Sequence, residues 1–427
     1  MTYELALSYL TSLNESRIKP GLERIIEVLT ALGSPHLKYP LVLVGGTNGK
    51  GSVVSFLGAA LSAAGYRTGL FTSPHLHNFE ERIIVNGQTL AREELVELVK
   101  TVKSTGIGMT YFECSVAMAL CHFARCNIDM AILEVGIGGT WDATNATDPI
   151  LSIITSVELD HQDWLGNDLE EIAFEKAGIM RNRKPVVVGP VNKEVRVSLI
   201  QQAEAVGAEM VLYGRDFHAH HGTTGTNLHF EGSKWSIEKV TPGLKGRFQL
   251  DNAACALAAL ESMVSAGMKI SSQDAKKGIE SARWPGRLQE TGGFPPVIVD
   301  AAHNPAAVRA LIDSLGEKKD TVWLISALSD KDLRGMAMEM ARISRRFVLV
   351  PLDHPRGMSV EKMEGEMPEG SDIKKVYNTR SGIEVARALA GKEGRVVSAG
   401  SVVLAGEVLE ELRKTDQIED CELRIED

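Results

Sequence analysis

The arrangement of apolar and polar positions predicts that short strands alternate with helices through the first part of the chain. Short runs made up mostly of apolar residues indicate strands at residues 41–44, 67–71, 130–135 and 151–155. Apolar residues at helical spacing predict helices over residues 1–33, from about residue 92, up to about residue 126 and over 169–180. Such alternation is typical of a mostly parallel sheet covered by helices on both faces, so we predict an α/β fold.

Two stretches depart from this alternation. Residues 82–90 predict a hairpin that turns at Asn86-Gly87, a dipeptide that favours the tight turns between antiparallel strands. Residues 214–240 are rich in His, Gly and Thr. We expect them to form irregular or antiparallel structure at the sheet edge.

Segments rich in proline and glycine at 284–287 and 292–296 indicate a domain boundary, because helices do not cross such segments. A second alternation follows, with strands expected at 297–299, 322–325, 347–350 and 396–398. We therefore predict two domains, residues 1–284 and 285–427, of which the second is doubly wound. The length of 427 residues agrees with this division.

Composition narrows the classes of function. The net charge of −10 argues against broad binding of nucleic acid, which needs a basic face. No apolar run is long enough to span a bilayer and no secretory signal is visible, so we expect a cytoplasmic protein without a membrane partner. None of the five cysteines forms a C-x-x-C pair, and zinc and redox motifs are therefore unsupported.

The most informative stretch is a glycine-rich loop, residues 45–52, between the strand at 41–44 and a helical pattern from Val53. Strand, glycine loop and helix form the context of a phosphate-binding loop, in which backbone N–H groups, the helix N-terminus and Lys50 bind phosphate. The match is imperfect, because Gly51 follows Lys50 where a Ser or Thr is standard and Ser52 comes one position later. The alternative is a simple glycine-rich turn.

Polar residues follow the other predicted strands, and in open α/β sheets ligands bind at the carboxyl ends of strands. Ser73, Glu134 and His161 come after three of them and together offer the ligands of a Mg²⁺ site. Alternatively, Ser73 is a helix cap and His161 an ordinary packed or surface residue. Glu175-Lys176 has the spacing of a solvated surface pair.

The second domain carries its own candidates. Asp300 and His303 follow an apolar strand, and Arg287 lies just before that strand. We therefore expect a nucleotide to lie in a cleft between the two domains.

These residues resemble the folylpolyglutamate synthases and dihydrofolate synthases of the Mur ligase superfamily. The matching motifs occur in order along nearly the whole chain, at residues 46–52, 72–76, 81–83, 136–139 with 142–145, 159–161, 175–179, 285–287 and 300–304. The resemblance implies an N-terminal P-loop ATPase domain and a C-terminal Rossmann-like domain. It also implies an ATP-driven amide bond between L-glutamate and a folate-type carboxylate, formed through an acyl phosphate.

Site residues are implied in the same way. The resemblance assigns ATP contacts to Asn48, Gly49, Lys50, Gly51, Ser52, Asn252, Arg287 and Asp300, and Mg²⁺ to Ser73, Glu134 and His161. It assigns a second Mg²⁺ to a carbamylated Lys176, against the surface-pair interpretation, and contacts to the pteroate part of the substrate to Phe112, Trp141, Asp142 and Ala143. The catalytic set is then Lys50, His161, Lys176 and His303, with His303 orienting or deprotonating the glutamate amine.

The chain departs from the family pattern at Thr140, Trp141, Ala301 and Ser329. The family commonly has arginine and a smaller aliphatic residue at the first two positions, near the expected pterin end of the substrate. Two alternatives therefore stay open: a ligase of the same superfamily that acts on another acid, such as a different pterin or a cell-wall precursor, and a nucleotide-binding scaffold without turnover. We expect a monomer.

Overall fold

The computed structural model describes residues 1–13, 19–160, 162–166, 168–315 and 320–422. They divide into two compact units. The first comprises residues 1–75, 79–243 and 249–283, and the second comprises the short segments 76–78 and 244–248 and the described residues from 284 onwards. The contiguous ranges 1–284 and 285–427 stay a prediction.

The first unit contains an eight-stranded sheet with the order β4-β3-β2-β5-β1-β6-β7-β8. Its strands are β1 (Leu41–Gly45), β2 (Thr68–Phe71), β3 (Ile83–Val85), β4 (Gln88–Thr89), β5 (Met130–Glu134), β6 (Leu151–Ile154), β7 (Pro185–Val188) and β8 (Glu209–Leu212). The six strands from β2 to β8 in this order are parallel, whereas β3 is antiparallel to both of its neighbours. The predicted hairpin is confirmed, with Asn86 and Gly87 between β3 and β4.

The register of this sheet brings several strand ends together. Val44 at the end of β1 lies opposite Glu134 of β5 on one side and Ile153 of β6 on the other. Phe71 at the end of β2 lies opposite Leu133. The loops that follow β2, β5, β1 and β6 therefore leave from one edge of the sheet in that spatial order.

Helices flank the strands of the first unit. They are α1 (Tyr3–Ser12), α2 (Glu23–Ala31), α3 (Lys50–Ala63), α4 (Arg92–Lys103), α5 (Tyr111–Arg125), α6 (Gln162–Leu165), α7 (Leu169–Ala177), α8 (Lys193–Val206), α9 (Phe248–Ser265) and α10 (Ser272–Ser281). The prediction of one helical segment over residues 1–33 is wrong: α1 ends at Ser12, and Pro20 and Gly21 (φ +114°) precede α2. Residues 14–18 lie outside the described residues.

A three-stranded antiparallel sheet follows β8, so the antiparallel structure expected within residues 214–240 is confirmed, but it forms a separate sheet rather than an edge of the large one. It consists of β9 (His218–His221), β10 (Leu228–Glu231) and β11 (Ser236–Val240), with β10 in the middle. Leu228 and Phe230 are fully buried on one face, whereas Glu231 is exposed on the other.

The second unit contains a six-stranded sheet with the order β12-β13-β17-β14-β15-β16, parallel except for β12. Its strands are β12 (Gln289–Glu290), β13 (Val297–Val299), β14 (Thr321–Ile325), β15 (Arg346–Leu349), β16 (Asp372–Lys375) and β17 (Arg395–Ala399), and its helices are α11 (Pro305–Leu315), α12 (Leu333–Met340), α13 (Val360–Gly365), α14 (Thr379–Ala390) and α15 (Val402–Glu422). Two apolar clusters cover its two faces. The predicted α/β class with mostly parallel sheets is confirmed. No helix in the described ranges is long and apolar enough to cross a membrane.

Candidate active site

The glycine-rich loop connects β1 to α3 and requires glycine at two positions. Gly46 has φ +132° and Gly49 has φ +86°, both in the region that L side chains rarely adopt. A Cβ atom at Gly46 would lie 2.0 Å from Oγ1 of Thr155. Close approach to the segment after β6 therefore excludes any side chain at this position.

Three residues after β6 hold this loop in place. Thr155 Oγ1 donates a hydrogen bond to Asn48 O (2.6 Å), and Ser156 Oγ accepts one from Asn48 N (3.0 Å). Thr47 N donates to Ser156 O (2.8 Å), and Thr47 Oγ1 accepts from Glu158 N (3.0 Å). The sequence analysis missed these residues. Their signal is a pair of hydroxyl residues directly after the strand that neighbours β1.

Lys50 is the first residue of α3. Its ammonium donates to Gly46 O and Thr47 O, both at 3.1 Å, so the charge lies over the loop. Ser52 is buried one position further along the helix than a standard loop would have its hydroxyl residue. The loop therefore combines a cation, a helix N-terminus and glycine backbone, which is the chemistry that binds phosphate.

The predicted Asn252 lies against the loop. Oδ1 of Asn252 is 2.4 Å from the point where a Cβ atom on Gly49 would stand. Its Nδ2 donates to Oε1 of Gln249 (2.9 Å), and Nε2 of Gln249 donates to Oγ of Ser52 (3.1 Å). The structure thus brings Asn252 and Ser52 together, with Gln249, which the sequence analysis also missed, between them.

Ser73 and Glu134 meet at the carboxyl ends of neighbouring strands. Ser73 N donates to Oε2 of the buried Glu134 (3.1 Å), so the hydroxyl residue and the carboxylate are adjacent. His161, the third predicted metal ligand, lies outside the described residues. Among those described, no cluster of three or more His, Cys, Asp and Glu side chains could hold a metal ion.

Lys176 is buried at the end of α7, with only 3% of the residue exposed, so the surface-pair interpretation is wrong. Burial and the charge of Lys50 lower the pKa of Lys176 to about 7, whereas Asp160 opposes the shift. The glycine loop after β5 permits this burial, because a Cβ atom on Gly139 would lie 2.5 Å from Glu175 O.

Two of the predicted substrate residues meet at Gly136. A Cβ atom there would lie 2.6 Å from Cζ of Phe112, which packs on Phe71, and 3.0 Å from Oδ2 of Asp142. Asp142 accepts from Gly136 N (2.9 Å) and Ile137 N (3.1 Å) through Oδ2, and from the N (3.0 Å) and Oγ1 (2.6 Å) of Thr144 through Oδ1.

Asp142 therefore shapes its own loop. Burial raises the pKa of its carboxyl group, and these hydrogen bonds oppose the shift. Ala143 is buried, whereas Trp141 is 54% exposed, so these two residues differ in the access that their side chains offer.

Asp300 follows β13 in the second unit and is buried. It accepts from Leu288 N and Ala302 N, each at 2.8 Å; burial raises the pKa of its carboxyl group, and the charge of Arg287 lowers it. His303 lies three residues on, with Nδ1 2.9 Å from Ala301 O. Asp300 and Arg287 are thus near each other within this unit. A nucleotide shared with the first unit stays a prediction.

Comparison with known proteins identifies the class of enzyme. Residues 44–260 match the Mur ligase middle domain, and residues 286–402 match the Mur ligase glutamate ligase domain. Together with the fold, the phosphate loop and the buried lysine, these matches show that the protein is an ATP-dependent ligase.

Full-length relatives give the family. The dihydrofolate synthase/folylpolyglutamate synthase of Escherichia coli is 35% identical over 95% of this chain and 94% of that protein. The structure of E. coli FolC in complex with DHPP and ADP has a TM-score of 0.89 and 33% identity, covering 97% of this chain and 99% of that one. A bifunctional folylpolyglutamate synthase/dihydrofolate synthase with Mn, AMPPNP and L-glutamate bound has a TM-score of 0.86 and 31% identity, covering 96% and 98%. The chain belongs to the folylpolyglutamate synthase/dihydrofolate synthase family.

Proposed function

We propose that this ligase joins L-glutamate to the carboxylate of a dihydropteroate or tetrahydrofolate substrate, with ATP as the energy source. The observation that carries the proposal is a group of three features: the phosphate loop and the Ser73–Glu134 pair at one edge of one sheet, and the buried Lys176, whose pKa responds to the charge of Lys50 in that loop. The relatives described above with DHPP, a nucleotide, manganese and glutamate bound support the same substrates here.

In the first step Lys50 and the loop N–H groups bind the phosphates of ATP. An oxygen of the acceptor carboxylate attacks the γ-phosphorus, the bond to the β-phosphate oxygen breaks, and ADP leaves. In the second step the glutamate amine attacks the acyl carbon, phosphate leaves with one acceptor oxygen, and the amine loses a proton to solvent. We assign Asn48, Gly49, Gly51, Ser52, Asn252, Arg287 and Asp300 to the nucleotide, and His303 to the amine.

The donors near the loop fit Mg²⁺, which prefers carboxylate and hydroxyl oxygens. Ser73 and Glu134 would hold one ion, together with His161. Such an ion supplies positive charge to phosphate oxygens during transfer. Glu134 suits this role because it is a buried carboxylate at the end of an apolar strand, where an opposite charge stabilises it.

Lys176 would hold a second ion after carbamylation. Its amine, neutral for much of the time near pH 7, attacks the carbon of CO₂; a C–N bond forms, one oxygen becomes a carboxylate oxygen and the amine proton passes to solvent. The product is an oxygen donor of opposite charge, which fits Mg²⁺ whereas an ammonium does not. Intact-mass measurement in bicarbonate tests the modification, and Lys176→Arg, which cannot form it, is the matched variant.

We assign four residues to the pteroate end of the acceptor: Phe112, Trp141, Asp142 and Ala143. Phe112 offers an aromatic face beside Gly136, and Trp141 offers an exposed ring. Because planar aromatic ligands stack on such rings, a pterin or benzoyl group is a suitable occupant.

The test is release of ADP in the presence of Mg²⁺, glutamate and one acceptor at a time: dihydropteroate, tetrahydrofolate and its monoglutamylated derivatives. Turnover that needs both glutamate and one of these acids supports the proposal. Lys50→Ala should abolish it, whereas Lys269→Ala, a control at an exposed lysine, should not. Turnover with another acid alone would identify a different ligase of the superfamily, and nucleotide binding without turnover would identify a scaffold.

A further inference from the structure

We infer that Gln249 is a positioning residue for the nucleotide, acting through Asn252; the inference rests on the proposed function of the loop. Gln249 lies in the first turn of α9, three residues before Asn252, so both side chains project from the same face of the helix. The side chain of Gln249 is fully buried, which is uncommon for an amide that lacks partners.

Both ends of the Gln249 amide are used. Its Nε2 donates to Oγ of Ser52 (3.1 Å), and its Oε1 accepts from Nδ2 of Asn252 (2.9 Å). Ser52 is itself buried in the first turn of α3. Gln249 therefore connects the helix that follows the phosphate loop to the residue that lies against the loop.

This chain of hydrogen bonds decides which end of the Asn252 amide faces the loop. Because Nδ2 of Asn252 is engaged by Gln249, Oδ1 is the atom directed at Gly49. Without Gln249 the Asn252 amide loses the partner that fixes its orientation, and the hydroxyl of Ser52 loses a donor in a buried site. The amide would then reach the nucleotide in a mixture of orientations.

Asp251, the residue directly before Asn252, has hydrogen-bond partners of its own. Asp251 accepts hydrogen bonds through Oδ1 from the hydroxyl of Tyr213 and contacts Nε2 of His221, both at 3.0 Å. The backbone of this turn is therefore held independently of Gln249. Substitution of Gln249 should for that reason change the side chain of Asn252 rather than unfold the turn.

A double-mutant cycle tests the inference. Binding of AMPPNP with Mg²⁺, measured by calorimetry without acceptor or glutamate, is compared for the wild type, Gln249→Met, Asn252→Ala and the double variant. We expect Gln249→Met to weaken binding about tenfold, the equivalent of one lost hydrogen bond. The double variant should bind within about twofold of Asn252→Ala. If the loss of affinity in the double variant equals the product of the losses in the two single variants, Gln249 acts independently of Asn252 and the inference is overturned.

A second variant keeps the test valid if Gln249→Met folds poorly. Gln249→Glu reproduces the amide when protonated, since its carbonyl accepts from Asn252 and its hydroxyl donates to Ser52. Burial raises the pKa of such a carboxyl group. Binding by Gln249→Glu relative to the wild type should therefore improve as the pH falls from about 8 to about 6. If the affinity of Gln249→Glu relative to that of the wild type does not change with pH, the inference is contradicted.

Gln273→Met is the control, because it makes the same chemical change at an exposed residue of α10 and should leave binding unchanged. Failure of the inference also differs from failure of the proposed function. In the first case the wild type still releases ADP in a glutamate-dependent manner, and in the second case it does not.

Discussion

The backbone N–H of Ser73 donates a 3.1 Å hydrogen bond to Oε2 of Glu134. The bond joins the carboxyl ends of β2 and β5, which are parallel neighbours with Phe71 opposite Leu133. A buried carboxylate needs a partner, and here the partner belongs to the residue whose hydroxyl is the second candidate ligand. One backbone bond thus brings together two groups that are 61 residues apart in the sequence.

Glu134→Gln should remove the charge and keep this hydrogen bond, because the amide oxygen can still accept from Ser73 N. We expect thermal stability to stay close to that of the wild type and Mg²⁺-dependent ADP release to fall by about 10²- to 10³-fold, the range for losing one group that stabilises developing charge. Glu93→Gln, at an exposed position of α4, is the control. Full activity of Glu134→Gln would exclude Glu134 as a metal ligand.

Gly46→Ala and Gly65→Ala form a matched pair for the phosphate loop. Both glycines have positive φ, and this strain alone should cost each variant about 1–3 kcal/mol in unfolding free energy, to which the clash at Gly46 adds. Only at Gly46 would the new Cβ meet an atom, Oγ1 of Thr155 at 2.0 Å, whereas nothing lies within 4 Å at Gly65. We expect nucleotide affinity to be lost for Gly46→Ala alone, and calorimetry with AMPPNP measures it. Equal affinities in the two variants would contradict the described loop.

The lowered pKa of Lys176 predicts a pH-dependent stability. The pKa of Lys176 is about 7 in the folded chain, and its ordinary value is 10.5. Between these two pH values the unfolded chain binds more protons than the folded chain, so the free energy of unfolding rises with pH. Below about pH 7 the cost of burying the charged amine is fully present. Lys176→Met should therefore stabilise the protein most at low pH, with an advantage that shrinks toward pH 10.

Urea unfolding at pH 6.5 and 9.5, in buffer without CO₂, measures this difference. Lys269→Met, at an exposed lysine, should give a curve parallel to that of the wild type. A stability difference between Lys176→Met and the wild type that is the same at both pH values would mean that the amine keeps its ordinary pKa.

Asp142→Asn tests the loop after β5. The carboxylate accepts four hydrogen bonds, and an amide, with one oxygen, would turn a donor toward one pair of its partners. We expect a loss of about 2–4 kcal/mol in unfolding free energy, because two hydrogen bonds are lost and a buried polar group is left unsatisfied. The KM for the acceptor should rise more than the KM for ATP. An increase confined to ATP would place Asp142 at the nucleotide instead.

Much of this site could be predicted from the sequence, because it follows from strand ends. Short, mostly apolar runs mark β1, β5 and β6, and parallel strands bring their carboxyl ends to one edge. Lys50 and Glu134 needed only this reasoning. The adjacent residues Glu175 and Lys176 gave the wrong interpretation of a solvated surface pair. Neither their types nor their positions show that Gly139 lets a loop cover the end of α7.

Residues that support the site could not be predicted in the same way. Thr155 and Ser156 bind the phosphate loop through contacts more than 100 residues apart, and Gln249 reaches Ser52 across 197 positions. An isolated glutamine in a helix has no local pattern that separates a buried bridge from a surface residue. Such contacts follow from the register of the sheet and the packing of α9, which only the folded chain provides.

The fate of one oxygen atom tests the central claim most directly. With an acceptor whose carboxylate carries ¹⁸O, the proposed acyl phosphate transfers one labelled oxygen to each phosphate released during glutamate-dependent turnover. Mass spectrometry of the phosphate should therefore find one ¹⁸O per molecule in the wild type and no released phosphate with Lys50→Ala. Unlabelled phosphate from a wild-type enzyme that still forms the glutamyl amide would contradict the account.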